Sequence, residues 1–286
     1  MRVLEKFLPS APGPGRAGDP GLYGPGSAAW RIGRERAVLA GGPTALLLQV
    51  AHPLVAEGVR AHSGFAADPL RRLRGTLDAV LTVSFGDEEQ VRAAVDRVAR
   101  AHRPVRGTLP EATDRLPAGT PYRAADPDLA LWVFATLVQT ALEVTDLFLR
   151  PSSTGERDAY YRDMTRMAGL FGVPAALLPE DGAGLDAYVR EQVRSVLEVG
   201  VTARSIAHQI LRPDPPIVPP RLRPLPGVLA AGLLPPSLRE AYGLPWTRWE
   251  RGVFGTGRRV FRTTAPLLPG RVRYWSHYRV ARARVG

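Results

Sequence analysis

Apolar positions along this chain recur three and four residues apart, and no run of five or more alternates cleanly between apolar and polar. The first pattern lines side chains along one face of a helix; the second, which a half-buried strand needs, is missing. The spacing predicts a helix over 28–39 ended by Gly41-Gly42, a short one over 43–50 opened by Pro43, and a third over 53–61 closed by Ser63-Gly64. Asp68-Pro69 pairs a capping oxygen with a proline suited to the first helical position, and predicts a helix over 69–84. Further helices are expected over 86–102, 128–149, 154–170 and 185–211. Residues 212–227 carry seven prolines and read as a connector, followed by shorter helices over 235–242, 246–262 and 271–284. The fold class is therefore all-α in a single globular domain. Its parts are an irregular Pro/Gly-rich arm over 1–27, a helical domain over 28–262, and a basic C-terminal helix or tail over 263–286 packed on that domain.

Two of these helices carry polar residues in apolar company. In 69–84, Leu70, Leu73, Leu77, Leu81 and Ser84 form one stripe for the core, with Arg71, Arg74 and Asp78 on a flank that water can reach. Arg72, Thr76, Ala79 and Val83 form a separate stripe, which predicts a second buried face and the wall of a pocket. In 86–102, Val91, Val95, Val98 and His102 share a face, so His102 is expected in line with the apolar stripe at the helix end. The 128–149 helix is apolar nearly all round from Leu129 to Val138 and should be central, with Trp132, Thr136, Gln139 and Glu143 as one ridge.

Charge changes the picture in one region. Net charge is +11, and residues 201–286 hold fifteen arginines against Asp214, Glu240 and Glu250, so the first 200 residues are close to neutral. We read this as a solvated arginine-rich surface, with weak contact to anionic membrane surfaces through the basic C-terminal third and no specific nucleic-acid partner. Residues 37–56 carry no charge and reach the length of a membrane span, but Gly41-Gly42-Pro43, Gln49, His52 and Pro53 interrupt them. A buried pair of short helices is the expectation there. The first fifteen residues lack the apolar stretch of a secretory signal, and a cytoplasmic location is expected.

With no cysteine in the chain, disulfides, thiolate metal sites and cysteine nucleophiles are excluded. The histidines, His52, His62, His102, His208 and His277, never fall three or four apart, and no Glu-x-x-His occurs, which argues against a zinc protease or a carboxylate-bridged di-iron bundle. Neither a phosphate-binding loop nor a Gly-x-Ser-x-Gly elbow is present. A site that asks the protein for a single ligand stays open. Haem is the obvious case, since the porphyrin brings four nitrogens and the protein one imidazole. The alternative is a core histidine held by ordinary hydrogen bonds. His52, just before Pro53, is expected to bond a backbone carbonyl freed by the kink.

An ordered set of motifs narrows the choice. Gly41-Gly42-Pro43, the run from Gln49 to Val55, His62-Ser63, Asp68-Pro69-Leu70-Arg71-Arg72-Leu73 and Thr76 come first. Phe85-Gly86, His102, Trp132-Val133, Ala135-Thr136-Leu137, Tyr160-Tyr161, Gly172-Val173-Pro174 and Tyr242-Gly243-Leu244-Pro245-Trp246 continue the series. Together they resemble the helical family of bacterial latex-clearing rubber oxygenases and a fungal endoplasmic-reticulum oxygenase, which has many actinobacterial members. The resemblance covers roughly residues 30 to 260.

It implies a globin-like helical core, haem b as cofactor with His102 as the proximal iron ligand, and oxidoreductase activity with dioxygen and an electron donor as partners. Arg72 and Thr76 match an arginine and a threonine near the haem in those enzymes. Arg72 would serve either as a donor toward dioxygen or as the partner of a haem propionate, with an ion pair to Glu57 or Glu143 as the structural alternative. Thr136 falls in a matching segment and is taken as a cofactor-binding residue, while Glu57 lies close to a catalytic glutamate of the rubber oxygenases. Two departures stand out. Gly75 replaces a lysine that can cap the iron, so a lysine-capped resting state is not expected, and Phe134 stands where a histidine is frequent. A small isoprenoid- or lipid-like substrate is expected rather than polymeric rubber.

Overall fold

The computed structural model describes residues 8–62, 69–212 and 219–286, and the side chains of residues 69–73 lie outside that description. Its helices are α1 (Ala28–Gly33), α2 (Gly42–Val50), α3 (Pro53–His62), α4 (Pro69–Phe85) and α5 (Glu88–His102). After a short ribbon come α6 (Pro127–Val144), α7 (Thr154–Leu170), α8 (Gly182–Ser195) and α9 (Val201–Leu211). The last third holds α10 (Leu225–Leu233), α11 (Pro236–Ala241), α12 (Arg248–Thr264), α13 (Gly270–Arg273) and α14 (Ser276–Val285). The chain is all-α and forms one domain.

Helix α6 is the axle. Trp132, Ala135, Val138 and Leu142 are buried in one cluster with Trp30 of α1, Leu47 of α2, Val83 of α4, Tyr161 of α7 and Leu185 of α8. Asp126 caps α6 through the amides of Asp128 and Leu129, and Pro127 sits in the first turn, as the sequence led us to expect. The stretch Pro127–Leu149 is long and apolar enough to cross a membrane, and 67% of it is buried inside the protein. The uncharged run over 37–56 resolves into a 3-10 turn (Arg36–Gly41), α2 and α3, with a bend of 103° between the halves. A bent, buried pair is what the prolines and glycines predicted.

Four features depart from the sequence reading, each through contacts distant in sequence. The helix expected over 28–39 breaks at Glu35, whose carboxylate takes both prongs of Arg273 at 2.8 Å while its backbone bridges to Tyr274. The helix expected over 185–211 breaks between α8 and α9, and the amide of Glu198 there donates to the carbonyl of Ala51 at 2.8 Å. That bond satisfies an acceptor at the α2–α3 bend, the task assigned above to His52; the His52 Nδ1 is instead buried without a hydrogen-bond partner. A two-stranded ribbon pairs β1 (Arg106–Thr108) with β2 (Pro121–Arg123), too short to register as a period-two pattern. Gly107 is needed in it, because a Cβ there would stand 2.7 Å from the Tyr122 hydroxyl. Finally, α10 forms inside what the prolines suggested was connector and its margin.

The described part of the N-terminal arm is a strap across the α4–α5 turn and α14. Arg16 N donates to the Asp87 carboxylate at 2.7 Å, and the buried Arg284 guanidinium donates to the carbonyls of Asp19 (2.7 Å) and Phe85 (2.8 Å). Gly21 has φ +69°, and a Cβ on it would meet the Gly86 carbonyl at 1.9 Å.

Candidate functional site

The residues singled out from the sequence divide between two neighbouring places. The first is a cavity of about 140 Å³ enclosed by the Arg36–Gly41 turn, α2, α4, α6 and α7. Leu46, Leu77, Leu81, Leu137, Met164 and Met167 give it an apolar lining, with Gln49, Thr76, Ser84, Thr140 and Tyr160 as its polar members. Its size matches an engineered apolar cavity of about 150 Å³ that takes benzene. Thr76 is exposed and lines the cavity too, which puts it at the rim. Thr136 is fully buried and does not line it; its hydroxyl accepts from Gln49 Nε2 at 3.0 Å and donates to the Val133 carbonyl at 2.7 Å. Thr136 therefore holds a wall residue in place. Trp132 Nε1 donates to the Leu48 carbonyl (3.2 Å) and the Tyr242 hydroxyl to that of Leu47 (2.6 Å), pinning α2 on the same side. Three of the motif positions that carried the resemblance thus shape one wall.

The second place is a polar edge where α3, the ribbon and the end of α5 meet. Glu57 is buried, and both its oxygens accept from Arg60, at 2.7 and 2.8 Å. The Tyr122 hydroxyl lies 3.3 Å from His62 Nε2, and burial, reinforced by the Glu57 charge, holds its pKa above the usual phenol value. Val105, whose amide donates to the His102 carbonyl at 3.0 Å, packs beside Gly58, so the turn that follows His102 sits next to Glu57 in the chain. Arg97 pairs with Asp78 at 2.9 Å across the antiparallel α4–α5 hairpin. Counting outward from that pair, the backbone of Arg72 stands level with the last turn of α5, where His102 is. The Arg72 side chain lies outside the described residues.

One expectation fails here. Along α5 the face passes from buried (Val91) through half-buried (Val95, Val98) to exposed at His102, so the ring is not in line with a buried stripe. Periodicity fixes the direction in which a side chain points, but cover depends on the neighbour, and the packing over α5 thins toward its Pro104 end. On α4 the inner stripe is buried at Ala79 and Val83 and open at Thr76.

Two buried titratable groups, both on motifs or ridges noted in the sequence, are shifted by their surroundings. His52, 8% exposed, is pushed down to about 4 by burial, against the pull of Asp126. Glu143, at the foot of α6 where a π turn (Thr145–Leu149) follows, is pushed up to about 7 by burial and then by Asp186 and Asp146. Arg157 offsets this only in part, because it is already paired with Asp146 at 2.6 Å and with Asp186 at 3.3 Å. Gln49 carried a signal, as a polar residue in an uncharged run. Tyr122 carried none.

The donor set can be tested against a prosthetic group. Among the described residues no group of three or more His, Asp and Glu could hold a metal ion, so a cation bound by protein ligands alone has no cage. A haem asks for one imidazole, apolar walls for its faces and cations for its propionates. His102, exposed beside Arg100, Arg103 and Arg106, meets the first and third requirements in residue type, and the leucine and methionine lining of the neighbouring cavity supplies apolar surface. The residues fit the group in kind, although the cavity itself, at about 140 Å³, is far smaller than a porphyrin.

Comparison with known proteins gives a family. Residues 30–265 match the family described as ER-bound oxygenase mpaB/B'/rubber oxygenase, catalytic domain. The chain is also similar to uncharacterised protein Mb2261 of Mycobacterium bovis and uncharacterised protein Rv2237 of Mycobacterium tuberculosis. Each is 28% identical over 240 residues, spanning 79% of this chain and 88% of the relative. No solved structure matches.

Proposed function

The chain belongs to the ER-bound oxygenase mpaB/B'/rubber oxygenase family, and from that premise we propose that it is a haem b-dependent oxygenase acting on an apolar small molecule, isoprenoid- or lipid-like. His102 is the proximal iron ligand in this reading. The observation that supports it is the apolar cavity with Thr76 at its rim, beside an α5 end that offers one accessible imidazole. Bound haem would supply the one-electron and dioxygen chemistry that no side chain of this chain offers.

The chain's own groups would do the rest. The His102 ring would hold the iron, and the α4–α5 hairpin carries it. The Arg72 guanidinium carries the forked donor set that a propionate carboxylate takes. The cavity excludes water and selects an aliphatic or small isoprenoid segment by shape, with Gln49, fixed by Thr136, and the Thr76 hydroxyl as the polar contacts that orient it. Glu57 can accept a proton from substrate only if its pair with Arg60 opens, because both carboxylate oxygens are engaged there.

One observation favours a second reading, a helical ligand-binding protein without redox activity: a cavity of about 140 Å³ is the size of a small apolar ligand rather than a cofactor. An absorption spectrum separates the two. Protein expressed with ample haem supply should show a Soret band that is lost or shifted in His102→Ala, with helicity retained. A colourless wild-type protein would overturn the haem reading and leave the second one standing.

A further inference from the structure

Helix α12 has an inner and an outer apolar face. Phe254 packs inward and the 36% exposed Phe261 lies on the same side, with ring centroids 5.5 and 6.4 Å from that of Phe148, and Gly232 leaves the space that the Phe254 ring fills. At about 100° per residue, Trp249, Val253 and Val260 fall together on a second side, about 110° round the helix from the phenylalanines. Trp249 and Val260 are 57% and 54% exposed there, and Leu267, in the turn that ends the helix, is 82% exposed. Among the described residues, nothing covers Trp249 and Val260 on this second face fully.

Its neighbours are cationic. Arg248, Arg251, Arg259 and Arg262 share the adjoining sector of the same helix, all exposed, and no acidic residue follows Glu250 in the sequence. Glu250 itself is turned back onto Thr247 in a capping box. Among the described residues none of these four arginines forms an ion pair. Some other arginines are matched, Arg157 to Asp146 and Asp186, Arg273 to Glu35 and Arg150 to Glu156. On α12 the four lie on a helix that also exposes apolar side chains.

We propose that the outer face of α12, continued by Leu267 and Leu268, docks the protein on an anionic lipid bilayer. Headgroup phosphates meet the arginine sector, Trp249 sits at the headgroup level, and Val260 and Leu267 enter the acyl boundary. Charge complementarity alone would equally suit a nucleic acid. An exposed leucine and valine contribute nothing to phosphate-backbone binding, whereas hydrocarbon rewards both. The proposal does not rest on the haem reading and holds for either function above.

Sedimentation of the full-length protein with phosphatidylcholine vesicles, with and without phosphatidylglycerol, tests it. Binding should require the anionic lipid, weaken with added salt, and shift Trp249 fluorescence to shorter wavelength. Arg259→Glu combined with Arg262→Glu should raise the lipid needed for half-binding about tenfold or more. Leu267→Ser should weaken binding at unchanged charge. All three positions are exposed, so circular dichroism should show the fold intact. Absence of binding to anionic vesicles at low salt, equal binding to zwitterionic ones, or indifference to the arginine reversals would each overturn the proposal. Binding of a DNA duplex in preference to the vesicles would overturn it in favour of a nucleic-acid surface.

Discussion

The cavity wall, on α2, α4, α6 and α7, and the polar edge, where α3, the ribbon and the end of α5 meet, differ in almost every physical respect. Along the wall, Trp132, Thr136 and Leu47 are buried, and each polar atom named there has one bond that also fixes a backbone carbonyl or a neighbouring side chain. At the edge, His62, Arg60 and His102 are exposed, and the bonds run between side chains over short reaches. A wall of this kind is rigid and costly to alter. An edge of this kind can rearrange around a ligand at small cost to stability. The difference teaches that residues sharing one family pattern divide into those buried in the wall and those exposed at the edge.

That contrast can be broken most sharply at the wall. Trp132→Ala removes a side chain that is 1% exposed and frees the Leu48 carbonyl, and should cost about 3–5 kcal/mol in denaturant unfolding. A loss below about 1 kcal/mol would mean the wall is no stiffer than the edge.

At the junction between the two, on the α2–α3 bend, His52 makes a pH test. Its pKa is pushed down from 6.5 to about 4 on folding, so above 6.5 neither state holds the proton. As pH falls from 6.5 to 4 the unfolded chain takes up a proton that the folded one refuses, and stability is lost across that window. The loss should be of the order of 3 kcal/mol by pH 4. Glu143, pushed up to about 7, works in the opposite sense, stability falling as pH rises from 4.5 to 7. The measurement is therefore the difference between wild type and His52→Leu. The variant's stability should fall less between pH 7 and 4, and parallel curves would remove His52 from the account.

The smallest effect belongs to the edge. Tyr122→Phe deletes the hydroxyl facing His62 and should change stability by less than about 1 kcal/mol, because His62 can turn to water. A larger loss would place Tyr122 with the wall.

Much of the architecture was legible in advance because it is local. Proline at the first turn of α2, the start of α4 at Pro69, and the bend before Pro53 are consequences of a few neighbouring residues. Helix phasing set Thr76 apart from Arg74 and Asp78, and of the three only Thr76 lines the cavity. Burial was not legible in the same way: Thr76 and His102 lie on faces with apolar neighbours, yet both are exposed. Thr136 was assigned to the cofactor, whereas it bonds Gln49 behind the wall.

By itself the sequence determined that this protein is helical, where most of its helices start, and which family it joins, since caps, prolines and period-3.6 stripes act over a few residues. Only the tertiary structure decided where helices stop short, because Arg273 reaches Glu35 and the Glu198 amide reaches Ala51 across more than a hundred residues. It alone also decided that the cavity closes around Gln49 and Thr76 while His102 stays open, since cover is supplied by whichever element arrives from elsewhere in the chain.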